Sequence, residues 1–276
     1  MSTPRRIERM SGYRQAFVEI QPQSVPNHEQ PEPIEDTIHI ERNIVNKEEE
    51  ISTFDGKEIY SYHTNVDEVI MSDKNTKAAS KRAVGIDIGT GFISCAEHED
   101  GNKKFRKVRD AFFKLNPSKF LEGSAHQFGE NMLKNAGAHY VKVDGELYVL
   151  GDDAFKFANL FHQECLRPMS QGVLNPKHPV SNLMVSELIK AVAGKPKAKN
   201  DVLYYCVPAE PIDADFDVEY HKQILHGVFS EIGYKDINVM TEGLAVVYSE
   251  LADTQYTGIG MSFGAGMCNI VYSFMG

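Results

Sequence analysis

This sequence of 276 residues has no excess of basic residues. It holds 29 lysine and arginine residues against 39 aspartate and glutamate residues, a formal net charge of -10 at pH 7. Proteins that bind nucleic acid along its phosphate backbone usually display a concentrated basic face. We therefore expect no nucleic-acid partner and interpret the acidity as a contribution to solubility.

Paired cysteines and long apolar runs are also missing. The four cysteines are far apart and fit neither a disulfide framework nor the C-x-x-C spacing of a metal site. No run of about 18 apolar residues exists, and the polar N-terminus has no signal-peptide core. We expect a cytoplasmic protein with reduced thiols and no transmembrane segment.

Residues 1–80 differ in composition from the rest of the chain. Prolines recur at positions 4, 22, 26, 31 and 33, and Glu48–Glu50 is an acidic run. Such a segment buries too little apolar surface to offset the entropy of ordering, so we predict a mostly disordered acidic tail. One exception is a hairpin at Ile51–Phe54 and Lys57–Tyr62, joined by an Asp-Gly turn.

From Arg82 onward, strands alternate with helices, which favours an α/β architecture. The pair Asp144-Gly145 predicts a hairpin between Ala138–Val143 and Glu146–Leu150. The other expected elements are helices at Val180–Val192, Asp217–Ile232 and Gly243–Leu251, strands at Val202–Val207 and Ile237–Met240, and a strand-turn-strand unit from Thr257 to Met275.

The first candidate site is the turn Gly89-Thr90-Gly91, which follows the apolar strand Ala83–Ile88. Glycines let the backbone approach a ligand closely, and successive turn amides form an anion-binding concavity suited to phosphate. Asp87 beside the turn suits a magnesium-bound water. Taken alone, a hairpin turn without ligand is an equal alternative. A Rossmann turn is a weaker one, because the third glycine of G-x-G-x-x-G is missing.

A second glycine turn, Gly264-Ala265-Gly266, joins the strands of the C-terminal unit. Two such hairpins can hold phosphates between two sets of amides. Neither turn has the G-K-[ST] ending of a Walker A motif. Without the first turn, a tight turn with no ligand is the better interpretation.

The stretch Lys103 to Lys119 combines basic and aromatic side chains. Contact with an anionic partner is one interpretation. An ordinary strand and loop with a solvated charged face is the one we expect.

The ordered series of motifs resembles the superfamily of actin, DnaK-type chaperone and sugar-kinase ATPases, and most closely the MreB-like bacterial actins. The resemblance covers Arg82 to Gly276 and is carried by Asp87-x-Gly89-Thr90, Gly151–Ala154, Arg167–Val173, Val202–Pro208, Thr241–Tyr248 and Gly264–Gly266. It implies an actin-like ATPase domain with a ribonuclease H-like fold. Residues 82–276 would form its N-terminal lobe, and the second lobe, which carries the adenosine pocket, is expected to be absent from this chain.

The resemblance also implies a site for ATP and Mg²⁺. Asp87 would contact hydrated magnesium, and Glu242 would position or polarise the attacking water. The amides of the two turns would hold the β- and γ-phosphates; they belong to Gly89, Thr90, Gly91, Gly264, Ala265 and Gly266. Orientation and charge stabilisation of this kind are what phosphoryl transfer requires.

The chain departs from the superfamily pattern at three positions. Ser262 stands where the second phosphate motif opens with aspartate, Asn269 occupies a further acidic position, and Gly243 replaces a proline. The loss of carboxylates predicts slow hydrolysis, or nucleotide binding without turnover.

Three functions are compatible with these residues. The leading one is an actin-like nucleotide-binding protein that changes conformation with its nucleotide and forms filaments. The second is a structural or adaptor protein with a degenerate site, which Ser262 favours. The third is a metabolite kinase of the same superfamily.

Overall fold

The computed structural model describes residues 41–43, 48–54, 57–63, 67–72, 82–99, 102–116, 125–174, 179–210 and 218–275. The strands, in chain order, are β1 (Glu41–Asn43), β2 (Glu48–Phe54), β3 (Lys57–His63), β4 (Asp67–Ser72), β5 (Ala83–Ile88), β6 (Phe92–Glu99), β7 (Asn102–Arg109), β8 (Phe112–Leu115), β9 (Tyr140–Val143), β10 (Glu146–Leu150), β11 (Met169–Ser170), β12 (Val173–Leu174), β13 (Val202–Val207), β14 (Asp236–Thr241), β15 (Gly258–Phe263) and β16 (Cys268–Ser273). The helices are α1 (Ala125–Ala136), α2 (Gly151–Leu160), α3 (Pro179–Ala193), α4 (Val218–Ile232) and α5 (Glu242–Glu250).

The main sheet has seven strands in the order β1-β4-β7-β6-β5-β13-β14. Strands β5, β6 and β7 are antiparallel neighbours, whereas β13 pairs in parallel with both β5 and β14. Three antiparallel strands followed by two parallel ones, reached through helices, form the ribonuclease H-like order implied by the resemblance. The predicted α/β class is confirmed.

A second sheet of five strands, β2-β3-β9-β10-β8, is antiparallel throughout. It contains the predicted hairpin β9–β10, whose turn residues Asp144 and Gly145 have φ values of 52° and 83°. Both values are positive, as a type I′ turn requires. The chemistry of these two residues therefore sets the register of the hairpin.

The N-terminal hairpin predicted at Ile51–Tyr62 is also present, as β2 and β3, with Phe54 opposite Lys57. Its Asp-Gly turn lies outside the described residues, and so do residues 1–40 of the predicted tail. Two strands that the sequence analysis does not predict, β1 and β4, extend the main sheet beyond β7. Part of the segment assigned to the tail thus pairs with the domain.

The remaining predicted helices and strands differ from the observed ones by at most two residues at each end.

One face of the main sheet packs on α3 and α4, because the alternating residues Val84, Ile86 and Ile88 of β5 are buried there. The other face carries Ala83, Gly85 and Asp87. A second core lies between the five-stranded sheet and α1 and α2.

A buried ionic network lies at the amino end of β5. The guanidinium of Arg82 donates to Glu97 of β6 (2.8 Å) and to Asp201 (2.6 Å), the residue that precedes β13. Arg106 of β7 donates to the second oxygen of Glu97 (3.1 Å). Burial alone would raise the pKa of Glu97, but hydrogen bonds from Arg82 and Lys197 outweigh it and lower the pKa to about 2.

The C-terminal hairpin β15–β16 forms a sheet of its own and packs on α5. The contact is close because two glycines face one valine: a Cβ atom added at Gly243 or at Gly260 would lie 2.9 Å from Val271. Gly243 therefore replaces the expected proline because α5 begins against the hairpin.

This contact predicts opposite effects for two glycine-to-alanine changes in helices. Alanine favours a helix by about 1 kcal/mol over glycine, and we expect that gain at Gly227 of α4, where an added Cβ meets nothing within 4 Å. At Gly243 the collision with Val271 should outweigh it and destabilise the protein by about 1–3 kcal/mol. Chemical unfolding of G227A and G243A measures both. Equal stabilisation by the two variants would contradict the packing of the hairpin on α5.

Candidate functional site

The candidate site lies where three parallel strands end. In the register of the sheet, Cys206 of β13 is next to Asp87 of β5 and Met240 of β14. Asp87 is followed after one residue by the first glycine turn. Met240 is followed after one residue by Glu242, the first residue of α5. Ligands of open α/β sheets bind beyond the carboxyl ends of parallel strands, so this edge positions the predicted residues Asp87 and Glu242 for a common role.

The first glycine turn closes with a hydrogen bond of its own. The amide of Gly89 donates to the carbonyl oxygen of Phe92 (3.0 Å), so this amide serves the turn. The carbonyl oxygens of Thr90 and Gly91 accept from Arg167 Nη1 (2.9 Å) and from the amide of Asp110 (3.2 Å). Within the described part of the chain, the amides of Thr90 and Gly91 donate to no protein acceptor.

The second glycine turn repeats this arrangement. The amide of Gly264 donates to the carbonyl oxygen of Met267 (2.9 Å) and closes the turn between β15 and β16. The amides of Ala265 and Gly266 have no acceptor among the described residues. Each turn thus uses its first amide internally and leaves the next two available for an anion.

The two turns touch each other at their tips. A Cβ atom added at Gly266 would collide with Oγ1 of Thr90 and lie 2.9 Å from the amide nitrogen of Gly172, and one added at Gly91 would lie 3.2 Å from Cβ of Ala265. Gly172 belongs to the β11–β12 turn, which the sequence analysis assigned to the family resemblance but not to the site. A phosphate can enter between the two glycine turns only if the β15–β16 hairpin moves away from the first turn.

Glu242 is held by an amide that the sequence analysis treated as a lost carboxylate. Asn269 Nδ2 donates to Glu242 Oε2 (2.7 Å), while Asn269 Oδ1 accepts from the amide of Ala209 (3.0 Å). Burial, together with the charge of Asp87, raises the pKa of Glu242 to about 7. An aspartate at 269 would place another negative charge against Glu242, so the amide suits this position.

Asp87 and Cys206 are the other titratable residues near Glu242. Desolvation raises the pKa of Asp87, and the charge of Lys107 opposes that rise. Burial and the charges of Asp87 and Glu242 raise the pKa of Cys206 to about 12. Burial also raises the pKa of Cys95 and Cys165, whereas Cys268 is exposed next to the second turn.

The donor set fits a hydrated Mg²⁺ better than a directly bound metal ion. No group of three or more His, Cys, Asp or Glu side chains is placed to hold a metal among the residues that the structure describes. Asp87 and Glu242 supply two carboxylates, and magnesium takes few direct carboxylates while keeping several waters. A water-mediated contact from Asp87 is therefore compatible with the site.

Asp110 is an acid that the sequence analysis did not identify. It is fully buried (0% exposed), and neither carboxylate oxygen has a hydrogen-bond partner among the residues that the structure describes. Desolvation raises the pKa of Asp110 well above its usual range, and the charge of Arg167 offsets only part of this rise. Because its amide also donates to Gly91, Asp110 is a buried acid packed directly behind the first glycine turn.

Comparison with known proteins adds a family match and several structural likenesses. The sequence model of the family described as Volactin matches residues 82–276. No curated protein matches the chain. No helix in the described residues is long and apolar enough to cross a membrane.

Among solved structures, the "MamK double helical filament" is 20% identical with a TM-score of 0.47, covering 70% of this chain and 50% of that one. The structure of MreB 5 of Spiroplasma citri bound to AMPPNP is 13% identical with a TM-score of 0.41, covering 67% and 45%. The chain spans about half the length of these structures. The family match covers residues 82–276, the same range as the resemblance carried by the motifs.

The raised pKa of Asp110 predicts how stability depends on pH. In the unfolded chain its carboxyl ionises near pH 4, while in the folded protein it stays protonated to higher pH. Its contribution to stability is therefore complete below about pH 4 and is lost as the pH rises toward the folded pKa. We expect Asp110→Asn to raise the melting temperature relative to wild type at pH 8, by an amount that shrinks toward pH 4.

Thermal unfolding of both proteins from pH 4 to 8 provides the measurement. Asp152→Asn is the matched control, because it removes an exposed carboxylate whose ion pair with Arg109 lies on the surface. A constant difference between D110N and wild type across the series would mean that Asp110 is ionised in the folded protein.

Proposed function

This chain belongs to the volactin family, and we propose that it is an actin-like protein that binds ATP with Mg²⁺ and assembles with copies of itself. One observation supports the assignment of the nucleotide site. Two glycine turns with four available amides meet beyond the ends of three parallel strands, where Asp87 and Glu242 also lie. A cytoplasmic location is part of the proposal.

In this proposal, the amides of Thr90, Gly91, Ala265 and Gly266 bind the β- and γ-phosphates. Gly89 and Gly264, to which the resemblance also gave amide contacts, close the turns. Backbone amides suit this task because they carry partial positive charge and need no reorganisation once the turn is formed. Binding requires the hairpin to move, so nucleotide and conformation are coupled.

Asp87 takes a water of the hydrated Mg²⁺, which supplies positive charge to the phosphate oxygens when it is bound. Glu242 orients the attacking water and accepts its proton, a role favoured by a pKa of about 7. Asn269 fixes the Glu242 side chain from β16. The two carboxylates therefore have separate roles in this proposal: Asp87, which lies near the charge of Lys107, contacts the hydrated metal, and Glu242, whose pKa is raised to about 7, acts on the water.

Hydrolysis is slow or lost in this proposal, because the second turn has no carboxylate. Ser262 lies directly opposite Asn269 in the β15–β16 pair, so both neighbouring positions are neutral. A non-hydrolysing adaptor protein is the second candidate function, and this pair of neutral residues is the observation that favours it.

Self-association is supported by the outer face of the β15–β16 hairpin. Six apolar side chains that are each more than half exposed lie on it: Ile259, Met261, Phe263, Ile270, Tyr272 and Phe274. Apolar surface of this kind on a soluble protein usually marks a contact with another protein surface.

Restoring the missing carboxylate tests the proposed chemistry. We expect Ser262→Asp to increase Mg²⁺-dependent ATP hydrolysis by about tenfold or more, because a fixed charge is returned to the metal shell. Ser262→Asn is the control of equal size without charge, and Glu242→Gln should abolish the gain. Equal rates for S262D and S262N would contradict the assignment, and wild-type protein that binds no ATP at all would exclude the nucleotide site.

Sedimentation with ATP and Mg²⁺ tests assembly. We expect the wild-type chain to pellet, and the double change Phe263→Ser with Tyr272→Ser to leave it in the supernatant because the apolar face is broken. Phe128→Ser is the control, since Phe128 is a similarly exposed aromatic residue on α1. A metabolite kinase, the third candidate, should stay in the supernatant with ATP.

A further inference from the structure

Lys107 lies on the same face of the main sheet as Asp87. Asp87 is opposite Ser94 in the β5–β6 pair, and Ser94 is opposite Lys107 in the β6–β7 pair. Residues directly opposite each other in an antiparallel sheet share a face, and neighbouring strands are about 4.8 Å apart. The two backbone positions are therefore about 10 Å apart, a gap that a lysine side chain and a phosphate group can fill together.

The ammonium group of Lys107 is directed toward the first glycine turn. Its Nζ atom lies 3.8 Å from the ring centroid of Phe92, the residue that follows Gly91. Arg109 lies over the same ring at 4.9 Å, but its charge is paired with Asp152 at 2.6 Å. No carboxylate among the described side chains forms an ion pair with Lys107. Lys107 and Arg167, which donates to the carbonyl oxygen of Thr90 (2.9 Å), are thus the cations beside this turn that no described carboxylate pairs with; of the two, Lys107 is the one on the face of Asp87.

Charge balance in the site supports the same conclusion. Two positions that the superfamily pattern fills with carboxylates are Ser262 and Asn269, so the site carries less negative charge than that pattern predicts. Lys107 adds a positive charge that already acts on Asp87. A polyphosphate therefore meets less repulsion here and depends less on a divalent cation to neutralise it.

We propose that Lys107 binds the terminal phosphates of the nucleotide directly, and that this contact lets the chain bind a polyphosphate without a divalent cation. The proposal rests on the nucleotide site described under Proposed function. It gives a role to one residue of the basic stretch Lys103 to Lys119, for which the sequence analysis favoured a solvated strand face.

A structural role for Lys107 is the competing explanation. The backbone register places Asp67 of β4 opposite Lys107, and an ion pair there would attach β4 to β7. The two roles predict different results. A phosphate ligand is needed for affinity but not for stability, whereas an ion pair between strands affects the stability of both partners equally.

The test measures ATP affinity by anisotropy of a fluorescent ATP analogue, once with Mg²⁺ and once with EDTA. The proteins are wild type, Lys107→Gln, Lys107→Arg, Asp67→Asn and the control Lys103→Gln. Lys103 lies on the same strand and face, farther from the turn. Inorganic tripolyphosphate serves as a competitor that has the phosphates but no base, and thermal unfolding is recorded for each protein.

In EDTA, we expect K107Q to lose about tenfold or more in affinity, K107R to retain most of it, and K103Q and D67N to stay within about twofold of wild type. Tripolyphosphate should displace the analogue from wild type. A smaller loss for K107Q with Mg²⁺ is also expected, because the cation then shares the charge.

Three results would overturn the proposal. If K107Q binds like wild type and wild type binds only with Mg²⁺, the nucleotide site stands and the lysine contact fails. Equal losses of affinity and melting temperature in K107Q and D67N would identify a structural ion pair. Wild type that binds in neither condition would exclude the nucleotide site itself.

Discussion

The buried guanidinium of Arg82 fixes the register of the main sheet, and the candidate site depends on that register. Arg82 stands immediately before β5 and donates to Glu97 of β6 and to Asp201 at the start of β13. Breaking one partner of a buried ion pair typically costs about 3–5 kcal/mol, so a slipped pairing that separates these groups is strongly disfavoured. At the opposite end of the same strands, Asp87, Cys206 and the residues leading to Glu242 are consequently aligned.

The C-terminal hairpin connects the two halves of the site. It touches the first glycine turn through Gly266 and packs on α5 through Val271. It also holds Glu242 through Asn269. A movement that separates the two turns therefore also acts on the carboxylate proposed to orient the attacking water. The separation of the two turns and the orientation of Glu242 are linked through one structural unit.

Local chemistry allowed much of the fold to be predicted. Asp144-Gly145 and Asp55-Gly56 specify hairpins because their short loops determine the register. Apolar spacing located α3, α4 and β13, and glycines that interrupt apolar strands located the two glycine turns. Contacts between residues distant in sequence were not predictable in this way. Strand β4 joins the sheet by pairing with β7, and its six residues, with only three consecutive apolar ones, do not indicate this. The burial of Asp110 and the hydrogen bond from Asn269 to Glu242 likewise depend on tertiary packing. Gly243 is explained only by the side chain of Val271.

The accessibility of the four thiols follows from the same packing and has a practical consequence. Cys268 is exposed at the start of β16, directly after the second glycine turn, whereas Cys95 is buried and burial raises the pKa of Cys165 and Cys206. A maleimide dye will therefore react first at Cys268 of the native chain. The label sits on the hairpin that carries the second glycine turn, so its fluorescence would report a movement of that turn away from the first one without an engineered cysteine.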